Sequence, residues 1–314
     1  MGRRDWKCRW LSFEKQNLTK LQPVAILPAE QPPEWRVGQG GTRLEFALNH
    51  MAAPAMSARD LLSMAARLGC VGVEFRNDLA RPLFDGEAPA TIGAAAQSAG
   101  QKILALAEVK AFNDFTEQTR TAAEALMQAA VACGAATIAL IPRNDGRRLG
   151  ESERRADLAF ALNELAPMLE RHGLIGLIEP LGFETCNLRH KGEVVEVIES
   201  LGQADRFRLV HDTFHHHLAG GGPVFAAQTG IVHISGLADP APSVTQMRDG
   251  HRGLVDAHDR LDNLGQIAAL RAAGYHGPLS FEPFAPEFHA LPDPEAALAR
   301  SIAFIRAGLG DAAA

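Results

Sequence analysis

Residues 174–212, LIGLIEPLGFETCNLRHKGEVVEVIESLGQADRFRLVHD, hold the pattern that decides the fold. A short apolar run, 174–178, ends in Glu179, a longer segment follows, and a second short run, 207–210, ends in His211 and Asp212. Strand, helix-length segment and strand in that order make a βαβ unit with parallel strands. The same alternation continues in both directions. Further strand candidates lie at 44–48, 71–75, 103–109 and 137–141 before it, and at 231–234 and 279–281 after it. Between them the apolar residues take helical spacing. One helix opens at Ser57 with Asp60 three residues on, buries Leu61, Leu62, Ala65 and Leu68, and stops at Gly69. Another is expected to open at Asp114 and end before Gly134, and the last to open at Asp293 with Pro294 in its first turn. Ser or Asp at the start and Gly after the end satisfy or relax the orphan backbone groups of a helix.

Eight such units predict a closed α/β barrel, the (β/α)8 or TIM barrel, rather than an open doubly wound sheet. No GxGxxG follows the first strand, which counts against a dinucleotide-binding fold. Two spacings stand out: the sixth unit is short, and the seventh carries an insertion of roughly 15–20 residues over the usual unit. That insertion, 239–258, contains Arg248 and Arg252 and reads as a lid or a subunit contact. Residues 1–42, with all three tryptophans and a Pro/Gly-rich end, read as a mobile N-terminal extension, and 43–314 as the barrel domain.

The bulk composition is consistent with this. At 314 residues and 46% apolar, the chain can bury one large core. Its formal charge of −6 argues against a nucleic-acid or anionic-membrane surface. The four cysteines show no CxxC spacing, which fits a reducing cytoplasm, and no apolar run is long enough to span a bilayer.

In such barrels the chemistry lies where strands end. Here every strand ends in polar residues: Asn49 and His50; Glu74 and Arg76; Glu108 and Lys110; Arg143; Glu179; Asp212; His233; Glu282. Ionised groups that leave water need partners or a metal. The last four come from consecutive strands roughly 5 Å apart, so they can meet at one ion. Three carboxylates and an imidazole suit one divalent metal ion, Mn, Mg, Co or Zn, with positions left for substrate oxygens. His215 can turn back over the pocket, His211 should point away from it by strand alternation, and His216 and His217 read as a solvated tract. His172, His190, His251, His258, His276 and His289 read as surface residues.

The motifs Ile-Glu179-Pro-Leu-Gly, His211-Asp212-Thr-Phe-His215, Val-His233-Ile-Ser and Phe-Glu282-Pro-Phe resemble the xylose isomerase-like TIM barrel superfamily of sugar isomerases and epimerases. The resemblance runs from about Arg43 to Leu309. Val-Glu74-Phe-Arg76-Asn77-Asp78 and Pro142-Arg-Asn-Asp145-Gly146 look closest to inosose isomerase-like members. It implies Glu179, Asp212, His233 and Glu282 as metal ligands and Glu179 and Glu282 as the acid/base pair. It also implies a substrate contact by His215; Arg76, Glu108, Lys110, Asn49 and Arg143 are the further candidates for substrate binding. The 3-epimerases carry an arginine six residues after the metal-binding histidine, where this chain has Asp239. They carry a glutamate six residues after the first ligand, where it has Thr185. Both departures point from a ketose towards an inosose-type substrate.

The implied activity is metal-dependent isomerisation or epimerisation of a small keto-sugar or keto-polyol through an enediolate. A lyase dehydrating inosose or dehydroshikimate on the same barrel competes with it. A DNA-repair endonuclease would need more histidines on strands two and three, and a non-catalytic sugar-binding barrel would not need the four ligand candidates. Neither nucleic acid nor membrane is expected as a partner; a second copy of the chain is. No glycine-rich phosphate cradle accompanies Arg248 and Arg252, which favours an unphosphorylated substrate.

Overall fold

A computed structural model describes residues 43–311; the expected N-terminal extension lies outside the described residues. Eight strands close into one parallel barrel in sequence order: β1 Phe46–Asn49, β2 Gly72–Arg76, β3 Lys102–Lys110, β4 Thr137–Ile141, β5 Ile175–Ile178, β6 Phe207–Asp212, β7 Thr229–Ile234 and β8 Leu279–Phe281. The ring closes where β1 pairs with β8, Phe46 opposite Leu279 and Leu48 opposite Phe281. Around it run α1 Ala58–Arg67, α2 Pro89–Ser98, α3 Glu117–Cys133, α4 Glu151–His172, α5 Lys191–Ser200, α6 Thr213–Leu218, α7 Asn263–Ala272, α8 Pro286–His289 and α9 Pro294–Gly308. This is a (β/α)8 TIM barrel. Among the described residues no helix is long and apolar enough to cross a membrane.

The caps at Ser57 and Asp293 form as expected, each side chain accepting a backbone N–H three residues on. Several boundaries differ by a residue or two, β7 for instance starting at Thr229 rather than residue 231, and two of the shifts have a tertiary cause. β1 starts at Phe46 rather than residue 44, because the Leu44 N–H donates to the Asp311 carboxylate and not to a strand. α3 opens after Thr116 rather than Asp114: Thr116 Oγ1 accepts the Thr119 N–H, while Asp114 pairs with Arg143.

Both spacing anomalies have structural forms. After β6 only the six-residue α6 and a 3-10 turn, Ala226–Gln228, lead to β7. After β7 the insertion forms two 3-10 turns, Val244–Gln246 and Asp249–His251. It is fastened by an antiparallel pair in which Gly236 and Gly253 exchange N–H···O bonds of 2.9 and 2.7 Å.

The main core lies between strands and helices. A smaller cluster, Ala47, Leu104, Ala105, Leu177, Val210 and Ile231, contains only strand residues, as the inner filling of a barrel does. Side chains alternate along a strand, so the residue two places beyond an inward one also faces inward. Glu179 follows Leu177, Asp212 follows Val210 and His233 follows Ile231 by two. The period that fills the barrel with apolar groups therefore delivers these polar ones to its upper end.

Candidate metal centre

Glu179, Asp212, His233 and Glu282 are all buried, and each offers one donor atom within 4.8 Å of the others. His233 directs Nδ1 at the carboxylates, 3.3 Å from Glu282 Oε2 and 3.8 Å from Glu179 Oε2. Neither approach has hydrogen-bond geometry, so Nδ1 is a buried ring nitrogen without a partner. The other nitrogen, Nε2, lies 3.1 Å from Glu74 Oε2, and Glu74 Oε1 accepts from Ser280 Oγ at 2.5 Å. A carboxylate behind a histidine fixes ring orientation and tautomer, leaving the far nitrogen available as a ligand.

Asp212 also caps α6, its Oδ1 accepting the His215 N–H at 2.8 Å. That bond sets the direction in which α6 leaves the barrel and swings His215 back until its Nε2 is 3.8 Å from Glu179 Oε1. The His215 ring packs edge-on against Phe183 and Phe214. Gly182 allows this approach: a Cβ there would stand 2.2 Å from the His215 carbonyl oxygen.

Two guanidinium groups grip Glu282. Arg76 Nη1 donates to Oε1 at 2.7 Å, and Arg252 Nη2 donates to Oε2 at 2.9 Å and to Asp212 Oδ2 at 2.5 Å. Arg252, fully buried, is flanked by the rings of Phe214 and Phe284, 5.1 and 4.6 Å from its Cζ. Such a stack compensates a desolvated cation. Arg76 is bidentate to Asp78 and 3.3 Å from Glu108, which Lys110 approaches at 3.4 Å.

The electrostatics split the two glutamates. Burial, then the charges of Glu282 and Asp212, push the Glu179 carboxyl well above the usual carboxylate range. Burial acts the same way on Glu282, but His233, Arg252 and Arg76 outweigh it and hold that carboxyl well below the range. Burial would lower His233; Glu74 and Glu282 instead hold it well above its ordinary value.

The remaining expected contacts divide. Arg76 and Glu108 join the cluster through the ion pairs above, whereas Lys110 is largely exposed at the rim. Asn49 is buried at the end of β1, its Oδ1 taken by the Met51 N–H and its Nδ2 unpartnered. Arg143 pairs with Asp114 at 3.0 Å and Asp145 at 3.6 Å. His211 points away from the pocket, bonding Lys191 and Gln266. His216 departs from expectation: it is buried, its ring 4.7 Å from that of His211. His190 and His258 are exposed as expected; His172, His251, His276 and His289 are half-buried. Glu74 and Arg252 gained no place in the cluster from sequence. Glu74 had a signal, since it lies two residues before Arg76 on one strand face. Arg252 was singled out only with Arg248 in the 239–258 insertion, and nothing tied it to Asp212, 40 residues away along the chain.

A divalent ion fits this arrangement. The donors are hard oxygens and one imidazole nitrogen, the unpartnered Nδ1 is aimed among them, and the Glu179 carboxylate has an imidazole 3.8 Å from each of its oxygens.

Known proteins share this framework. A family model described as xylose isomerase-like TIM barrel matches residues 62–308. An inosose isomerase of Halalkalibacterium halodurans is 26% identical over 208 residues, covering 62% of this chain and 71% of that protein. One of Bacillus velezensis is 24% identical over 178 residues, 54% of this chain and 60% of that protein. A xylose isomerase domain protein of Salmonella typhimurium LT2 superposes with a TM-score of 0.77 at 28% identity, over 84% of this chain and 99% of its own. The IOLI protein, solved with a zinc atom, gives 0.75 at 18% identity, over 85% and 99%, a likeness of fold alone. The matched span runs from within α1 to the end of α9 and includes all four buried donors: the chain belongs to the xylose isomerase-like TIM barrel family.

Proposed function

We propose that this chain is a divalent-metal-dependent isomerase or epimerase of a small keto-sugar or keto-polyol of inosose type. The observation that carries the reading is the meeting of four buried donors, three carboxylates and an imidazole, one from the end of each of four successive strands. The names of the two curated relatives, both inosose isomerases, support the substrate class.

When bound, the ion would polarise a carbonyl and neutralise the oxyanion that develops beside it. The chain's own residues do the rest. Glu282, kept anionic by Arg76 and Arg252, removes the proton from the carbon next to the carbonyl. Glu179, on the other side of the ion site, returns a proton to the opposite face or to the neighbouring carbon. His215, held edge-on by two phenylalanines, contacts a substrate hydroxyl, and Glu74 holds His233 in register.

The decisive measurement is deuterium uptake from heavy water into a panel of keto-inositols and ketohexoses, with the enzyme loaded with Mn, Mg, Co or Zn. Uptake with no change of product skeleton is expected, and Glu282→Gln should abolish it while keeping the folded far-UV spectrum. Near-normal exchange in that variant removes Glu282 as the base, and loss of water from the product identifies a lyase instead.

A further inference from the structure

Beside Asp212, between the loop that follows β5 and α6, lies a cavity of about 340 Å3. Its wall includes His190, Lys191 and Gly192, which begin α5, together with His216 and, at the end shared with the metal centre, Asp212 and His215. α5 is ten residues long, and its N-cap His190 gives the first turn no side-chain hydrogen bond. A helix start without such a cap presents N–H groups and the positive end of the helix dipole to whatever lies before it.

Two of the side chains at that helix start are donors with little to bind, and the acidic residue of its first turn, Glu193, is paired with Arg154 at 3.2 Å. Lys191 Nζ has one hydrogen bond, to His211 Nδ1 at 2.6 Å. His216 is 8% exposed, and its Nδ1 has no partner. The carboxylates at the same wall are engaged elsewhere: Glu196 with Arg155 at 2.7 Å, Asp212 with Arg252. Arg189 is likewise committed, to the Gly182 and Leu218 carbonyls. Burial pushes Lys191 down to about 7 and His216 down to about 4, the penalty for basic groups enclosed without an anion.

We propose that this cavity is an oxyanion subsite, in which the start of α5, Lys191 and His216 hold a phosphate- or carboxylate-class group of the same ligand whose carbonyl end meets the four donors. That one ligand spans both places rests on the keto-substrate reading above; the binding of an oxyanion does not. The expectation of an unphosphorylated substrate came from the lack of a glycine-rich loop near Arg248 and Arg252, and this helix start lies on another loop altogether.

Isothermal titration of the full chain with inorganic phosphate at neutral pH tests the pocket without reference to catalysis. Saturable binding is expected, weakened at least tenfold in Lys191→Gln and in Gly192→Asp. The second variant guards against misfolding: a Cβ at Gly192 meets only the Phe225 ring, at 3.6 Å, and an acidic residue suits a helix's first turn. Its melting temperature should be unchanged while its own carboxylate occupies the helix start. No saturable binding, or affinities unmoved by both substitutions, overturns the subsite. Competition then identifies the source: phosphate should displace a ketose phosphate or a keto-acid sugar, but not a neutral ketose. Simultaneous binding of phosphate and the charged ketose overturns the one-ligand assignment. Phosphate binding with no charged ketose bound overturns the one-ligand assignment and leaves the oxyanion pocket in place, while the keto-substrate reading stands or falls separately on deuterium uptake into the neutral keto-inositols.

Discussion

Glu74 touches none of the three carboxylates of the centre, yet it decides which nitrogen His233 shows them. Replacing it with Gln keeps the shape and removes the charge behind the ring. Glu74→Gln should weaken divalent-metal affinity by about 10- to 100-fold, the usual cost of losing a carboxylate behind a ligating histidine. Titration with Mn reads this directly; an unchanged Kd would show that Ser280 and packing suffice to orient the ring. The same residue marks the limit of reading at this scale. That Glu179, Asp212, His233 and Glu282 meet was legible, because each terminates a strand and strand ends share one face of a barrel. What holds them was less so. Arg252 reaches the cluster from the middle of an insertion, and no local spacing announces a contact made 30 to 40 residues away.

At the level of elements, the connection from β7 to α7 matters most. Its antiparallel pair, Gly236 with Gly253, places Arg252 one residue beyond the bridge, and the Arg252 carbonyl accepts the Phe284 and Ala285 N–H groups just after β8. The insertion thus forms a wall of the site, tied to two strand ends. A Cβ on Gly236 would stand 2.1 Å from the Leu254 carbonyl oxygen, and backbone cannot yield cheaply. Gly236→Ala should therefore open the bridge, lower the melting temperature by several degrees and cut turnover at least tenfold; wild-type values for both would refute this role for the bridge. Strand and helix existence was legible throughout, since period-2 and period-3.6 patterns rest on local spacing. The misplaced starts of β1 and α3 trace to tertiary partners, Asp311 for Leu44 and Arg143 for Asp114, which local pattern does not contain.

For the molecule as a whole, closely packed buried carboxylates predict strong linkage between metal and stability. At about a hundred times Kd, a ligand that binds only the folded state adds roughly 2.7 kcal/mol. Scanning calorimetry should show the melting temperature rising by several degrees on loading and returning on chelation; indifference to both would argue against an ion at this site. Acid acts elsewhere. His216 has a folded value near 4 against 6.5 in the unfolded chain, so the unfolded state binds more protons between them. Its contribution is complete above pH 6.5 and is lost as pH falls through about 4. His216→Asn should flatten the acid limb of the melting profile over that window; a superimposable limb would assign the acid sensitivity to other groups. Barrel closure has a further consequence in time. The strand that seals the ring against β1 begins at Leu279, so a ribosome must thread nearly the whole barrel before the first strand finds its second neighbour. Until then two sheet edges stand open, and the carboxylate two residues past Ser280 has no place to go. A nascent chain stalled before β8 should be recognised by holdase chaperones as unfinished, and the polar centre should be assembled last, in the same event that removes the edges.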